Sequence, residues 1–104
     1  MTSKERAYLK GLAMTIEPIF QIGKSGITPE MISAIDEALE KRELIKISVL
    51  KNCMEDGSNA AVVISERTHS QIVQVIGRKI VLYRKSVKNP KIFGKNEKNA
   101  AKQK

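Results

Sequence analysis

A chain of 104 residues with 41% apolar content is sized for one domain around a single hydrophobic core. Its longest apolar run, Ala60-Ala61-Val62-Val63-Ile64, falls far short of the ~18–20 residues that span a bilayer, and its polar, charged start has no secretory pattern, so a cytoplasmic protein is expected. One cysteine and one histidine exclude an internal disulfide and a conventional four-ligand zinc site, while a net charge of +8 favours a polyanionic partner.

Thr2 and Glu5 fit a capping box, and Leu9, Leu12 and Ala13 share a face beside Tyr8, which predicts a helix over residues 2–13. Pro18 blocks its continuation. Ile19, Phe20 and Ile22 then suit a short buried strand that ends at Gly23-Lys24-Ser25-Gly26. Thr28 is a good N-cap and Pro29 a good first helical residue. After them Met31, Ile32, Ile35, Ala38 and Leu39 recur at helical spacing, with Asp36, Glu37, Glu40 and Lys41 on the outer face. This helix should stop near Arg42 or Glu43. Leu44 to Leu50 alternates, with Ile45, Ile47 and Val49 opposite Lys46 and Ser48, as a half-buried strand does. Glu55 to Asn59 is polar, contains Gly57 and reads as a turn.

Ala60 to Thr68 supports two readings. Val62, Val63 and Ile64 are β-branched and favour strand, whereas Ala61, Ile64, Ser65 and Thr68 fit one helical face; propensity puts strand slightly ahead. Gln71–Ile76 and Ile80–Arg84 are two further strands, joined as a hairpin through Gly77-Arg78-Lys79. Beyond them the charge changes character. Residues 1–43 carry six basic and seven acidic groups, residues 44–84 six and three, and residues 85–104 seven lysines against Glu97 alone. The segment 86–104 is therefore expected to be a basic, disordered tail behind a domain over 1–85.

The residues that could carry chemistry are few. A strand, then Gly23-Lys24-Ser25-Gly26, then a helix from Thr28 is a βα turn able to cradle a phosphate, with two permissive glycines, the helix N-terminus and the mobile charge of Lys24. The same glycines would equally serve a plain tight turn. Gly23-Lys24-Ser25 looks like the end of a Walker A motif, but Pro18 stands where that motif needs its first glycine, which excludes nucleotide hydrolysis by this loop. A histidine-based catalytic arrangement would have to use His69, which sits at an element boundary and reads as a solvated turn residue. Cys53 reads as a small residue near a strand end. Lys10, Lys24, Lys46, Arg78, Lys79 and Arg84 fall at helix ends, strands and turns that could converge on one surface. Aromatic residues are scarce, which favours reading of backbone and shape over a run of stacked bases.

Placed in order, several stretches resemble the CRM domain, the chloroplast RNA splicing and ribosome maturation module, in its stand-alone bacterial, YhbY-like form. They are Leu9-Lys10-Gly11-Leu12-Ala13, Ile22-Gly23-Lys24-Ser25-Gly26-Ile27-Thr28, Glu43-Leu44-Ile45-Lys46-Ile47, Val73-Gln74-Val75-Ile76-Gly77 and Val81-Leu82-Tyr83-Arg84, together covering about residues 2–85. The chain departs from that family at Met14, where histidine is frequent, at Thr68-His69-Ser70, where glycine is frequent, and in its lysine tail. The resemblance implies an α/β fold in α-β-α-β-α-β-β order, with a mixed four-stranded sheet packed with helices, similar to the C-terminal domain of translation initiation factor three. It makes residues 60–68 a helix, against propensity.

The resemblance further implies RNA binding without catalysis and without a cofactor, metal, membrane or small-molecule substrate. The implied partner is ribosomal RNA or a precursor of the large ribosomal subunit, met through Gly23, Lys24, Ser25 and Gly26; the placement of Lys10, Lys46, Arg78, Lys79 and Arg84, rather than the resemblance, makes them candidates to extend the contact. The alternative reading is a protein-interaction module of the assembly or translation machinery that docks through the acidic outer face of the second helix.

Overall fold

The computed structural model describes residues 1–93; the rest of the lysine-rich tail, 94–104, lies outside the described residues. The elements, in order, are α1 (Ser3–Ala13), β1 (Phe20–Ile22), α2 (Pro29–Arg42), β2 (Leu44–Val49), α3 (Gly57–Thr68), β3 (Gln71–Ile76) and β4 (Lys79–Tyr83). The strands form one sheet in the order β1-β2-β4-β3, with β1 parallel to β2 and β4 antiparallel to both neighbours. The last strand thus threads between β2 and β3 and completes a split β-α-β unit.

Local signals explain most helix starts. Thr2 and Glu5 form the expected reciprocal capping box, each backbone N–H donating 3.0 Å to the other's side chain. Thr28 caps α2 by accepting from the Met31 N–H at 3.1 Å, with Pro29 in the first turn. Residues 60–68 are helical, as the family resemblance implies and propensity does not. Their β-branched residues do not make the contact with the sheet alone, because Ala60, Ala61, Ile64, Ser65 and Thr68 are the buried face. Small side chains let α3 approach the strands closely, and that packing outweighs a propensity difference of well under ~1 kcal/mol per residue.

The expected turn at 55–59 is only partly a turn, since α3 begins at Gly57 with Asp56 as its N-cap, accepting from Asn59 N–H at 2.8 Å. Glycine is needed there by proximity: a Cβ on Gly57 would stand 2.6 Å from the Gly77 carbonyl oxygen and 3.3 Å from Val75 Cγ1. Gly57→Ala should therefore cost about 1–3 kcal/mol in a urea denaturation experiment despite alanine's better helix propensity. Equal or higher stability would show that the hairpin can retreat freely.

Alternation divides the core in two. Ile22, Ile45, Ile47, Val49, Ile80 and Leu82 face α2 and α3, meeting Ile35, Leu39, Ala60, Ala61 and Ile64. Leu44, Val73, Val81 and Tyr83 face the other way and are covered by Leu9 and Ala13 of α1. Each such fully buried aliphatic side chain stabilises the fold by about 1.5–3 kcal/mol. At the free edge, β3 carries a register shift between Ile72 and Gln74, and Arg6 of α1 donates to the Ile72 and Val73 carbonyls at 2.8 and 3.0 Å. A bulge and a guanidinium together deny that part of the edge to another strand.

The start of the expected tail is packed. Residues 86–93 form a strap held by two carboxylates of α2 and its C-cap. Glu43 is wholly buried, and its carboxylate accepts from the backbone N–H groups of Ser86, Lys91 and Ile92 at 2.7, 2.9 and 2.8 Å. Phe93 closes the strap against Tyr83, edge-on at 5.6 Å, and Tyr8 at 5.9 Å. Glu40 accepts from the Val87 and Lys88 N–H groups and the Ser86 hydroxyl.

The Lys88 N–H, then Ser86 and the Val87 N–H, pull the Glu40 carboxyl down to about 2 from its usual 4.5. A lowered folded-state value means the contact is intact above pH 4.5, weakens as pH falls below it and is lost as pH passes through about 2. An NMR titration should find the Val87 and Lys88 amide shifts moving with a midpoint near 2. A midpoint near 4.5 would contradict the clasp.

Candidate nucleic-acid interface

β1, β2 and β3 all run the same way, so their C-terminal ends share one rim of the sheet. Three connections meet there: residues 23–28, residues 50–56 and the hairpin at Gly77-Arg78. Hydrogen bonds lock them together. Leu50 N–H donates to the Ile22 carbonyl at 2.8 Å, Val49 N–H to the Arg78 carbonyl at 2.7 Å, and the Arg78 guanidinium to the Leu50 carbonyl at 3.2 Å. In open α/β sheets this rim is where ligands are received.

The Gly23–Gly26 loop is a tight turn closed by Gly26 N–H donating to the Gly23 carbonyl at 2.9 Å. Gly26 has φ +71, a left-handed conformation, and a Cβ there would meet nothing within 4 Å, so backbone geometry alone calls for glycine. Lys24 and Ser25 are exposed at the tip, and their N–H groups have no acceptor among the described residues. The start of α2 offers less than the sequence suggests. Pro29 has no N–H, Met31 and Ile32 donate to Thr28, and Glu30 places a carboxylate in the first turn. Lys24 and the turn amides, more than the helix end, are what the loop presents to an anion.

Three of the sequence-selected cations stand at this rim, and a fourth lies on the adjoining sheet face. Lys24 tops the loop, and Arg78 and Lys79 are exposed on the hairpin. Lys46 shares with Lys79 a depression of about 180 Å³ walled by Ala13, Met14, Gln74, Ile76 and Val81. This is the part of the sheet that α1 leaves open. Lys10 is exposed in the last turn of α1 and does not line that depression.

Arg84 is not with them. It lies at the far end of β4, where its guanidinium pairs with the Asp36 carboxylate at 2.5 Å and donates to the Asp36 and Thr68 carbonyls at 2.8 and 2.7 Å. It ties α2 to the end of α3 and has no charge to spare for a ligand.

Two cations escaped sequence reasoning. Lys51 follows β2 and lies between Leu50 and Asn52, whose side chains would stand 3.6 Å from a Cβ placed on Gly23. Arg67 lines a groove of about 400 Å³ with Lys24, Ser25, Gly26, Ile27, Cys53, Met54, Glu55 and Val63. The spacing of Val63 and Arg67 on one face of the helix that the resemblance implies was the available signal; that this face borders the glycine turn was not legible from it. Among the described residues, none of Lys24, Lys46, Lys51, Arg67 and Lys79 forms an ion pair. Cys53 is buried, and His69 is exposed at the C-cap of α3 with φ +56, the left-handed position for which the family's frequent glycine is suited.

No helix among the described residues is long and apolar enough to cross a membrane. Comparison with known proteins finds relatives that the chain matches over most of their length. It is 48% identical over 92 residues to "Probable RNA-binding protein YqeI" of Bacillus subtilis, covering 88% of this chain and 96% of that one. It is 35% identical over 86 residues to "RNA-binding protein" of Haemophilus influenzae, covering 83% and 87%. The solution structure of protein SAV1595 from Staphylococcus aureus superposes with a TM-score of 0.74 at 52% identity, over 88% of this chain and 96% of that one. The CRS1 / YhbY (CRM) domain model matches residues 1–84, and with the fold and the glycine turn in place the chain belongs to that family.

Proposed function

We propose that this protein binds RNA and acts in assembly of the large ribosomal subunit, in the cytoplasm and without catalysing a reaction. The observation that carries the reading is the presence of Lys24, Lys51, Arg78 and Lys79, all exposed, at one rim of the sheet, with the half-buried Lys46 on the adjoining face beside Lys79. The names borne by the relatives support RNA as the polyanion. Electrostatic attraction brings the RNA in, and the Lys24 side chain with the adjacent turn amides holds a phosphate. His69, on an exposed helix cap, has no place in this scheme.

Ribosomal RNA is the partner that the family resemblance suggests. Crosslinking in cells followed by sequencing of the bound RNA tests it directly, and enrichment of large-subunit ribosomal RNA is expected. Gly26→Asp should reduce RNA affinity at least about tenfold, because it sets a carboxylate beside the phosphate and forces a side chain into a left-handed backbone. Unchanged affinity in a folded variant would remove the loop from the interface.

The alternative, docking of a protein on the acidic face of α2, finds less support. Asp36 is committed to Arg84 and Glu40 to the strap, so only part of that face remains to greet a partner.

A further inference from the structure

The groove beside the glycine turn differs in kind from the open basic rim. One wall is the turn itself, with Lys24, Ser25 and Gly26; the other is α3, with Val63 and Arg67. Between them lie Ile27, Cys53 and Met54, so the lining is apolar with a cation on each wall. Its volume of about 400 Å³ falls within the roughly 300–1,000 Å³ of small-molecule sites and suits one nucleotide. A duplex could reach it only with its phosphates and would leave the apolar lining empty. No aromatic ring lines it: Tyr8, Tyr83 and Phe93 cluster under the strap, and Phe20 packs on the core. A run of stacked bases therefore has no platform here.

Resting on the RNA-binding reading, we propose that this groove receives a single unpaired nucleotide of the bound RNA, its phosphates met by Lys24 and Arg67 and its base laid on Ile27, Val63 and Met54. Neither cation has an ion-pair partner among the described residues, so both are available. Met54 is 96% exposed, and its flexible thioether can cover a base face. Glu55 at the rim repels a further phosphate and offers an acceptor to the donor edge of a base. The site thus reads an interruption in a helix, such as a bulge, while the basic rim holds the flanking backbone.

Fluorescence anisotropy with two RNA hairpins, one fully paired and one carrying a single-nucleotide bulge, tests the proposal on the full chain. The bulged RNA should bind about tenfold tighter, the gain expected from burying one base face and pairing its phosphate. Arg67→Ala and Met54→Ala, both at exposed positions, should each erase most of that preference while binding of the paired hairpin changes less than about threefold. Equal affinity for the two hairpins, or a preference that survives both substitutions, would overturn the groove's role and leave RNA binding intact. Failure to bind either hairpin would overturn the function reading and this inference together.

Discussion

Glu43→Ala should destabilise the protein by about 3 kcal/mol or more, a large share of the ~5–15 kcal/mol that holds a domain together. The carboxylate is wholly buried and satisfies three backbone donors of the strap. Removing it leaves those N–H groups either unpaired or exposed to water with the strap released. Amide exchange at Ser86, Lys91 and Ile92 should accelerate with the loss of stability. Two further substitutions separate the causes. Glu43→Gln can keep one oxygen for the Lys91 and Ile92 donors but must turn its NH2 toward the Ser86 N–H, so an intermediate loss is expected. Glu43→Gly relieves the positive φ of 69 yet still removes the carboxylate. If glycine stabilised the protein, backbone strain would outweigh the clasp, and the anchoring role of the Glu43 carboxylate would be wrong.

The second large effect concerns salt. Replacing Lys24, Lys46 and Lys79 with alanine together should flatten the dependence of RNA affinity on ionic strength. With about 0.7–0.9 units of log–log slope per neutralised phosphate, three lost contacts remove roughly 2–3 units of slope. In the unmodified protein those contacts alone account for about a 20–40-fold fall in affinity between 50 and 200 mM salt. The variant should bind correspondingly weaker at low salt and converge on the parent at high salt. Replacing Arg84, already paired with Asp36, should change stability instead and leave the slope unaltered. A slope unchanged by the triple substitution would place the RNA elsewhere on the molecule.

Much of this was legible in the sequence, for definable reasons. The capping box at Thr2, the Thr28-Pro29 start of α2 and the alternation of residues 44–50 are local signals, and the structure obeys them. Helix α3 was not local in this sense. Its β-branched run argues for strand, and only the fit of Ala60, Ala61 and Ile64 against a sheet built from distant residues makes it a helix. The strap was hidden for a different reason. Its anchors are mainly backbone N–H groups, which composition does not report, and the accepting carboxylates stand 43–49 residues earlier. Among the cations, Arg78 and Lys79 could be chosen because they sit in the turn between two strands, although the strand order that sets this turn at the rim is a property of the whole sheet. Arg84 resembled them in charge alone, since nothing near it in sequence announces Asp36 or the Thr68 carbonyl.

The placement of β4 between β2 and β3 has a consequence for the newborn chain. In vectorial synthesis the strand at the centre of the sheet is made after its neighbours. Until residues 79–83 emerge, β2 has only the three-residue β1 for a companion, and β3 has none. The apolar faces of Ile45, Ile47 and Val73 then wait uncovered, and the final pairing closes contacts far apart along the chain, a slow class of folding event. Completion of the sheet must therefore wait until residues 79–83 have been made, and the hairpin that bears Arg78 and Lys79 takes its shape in that same closing step. The basic rim therefore comes into being only once β4 has joined the sheet, and an unfinished chain has the lysines without the surface that gathers them.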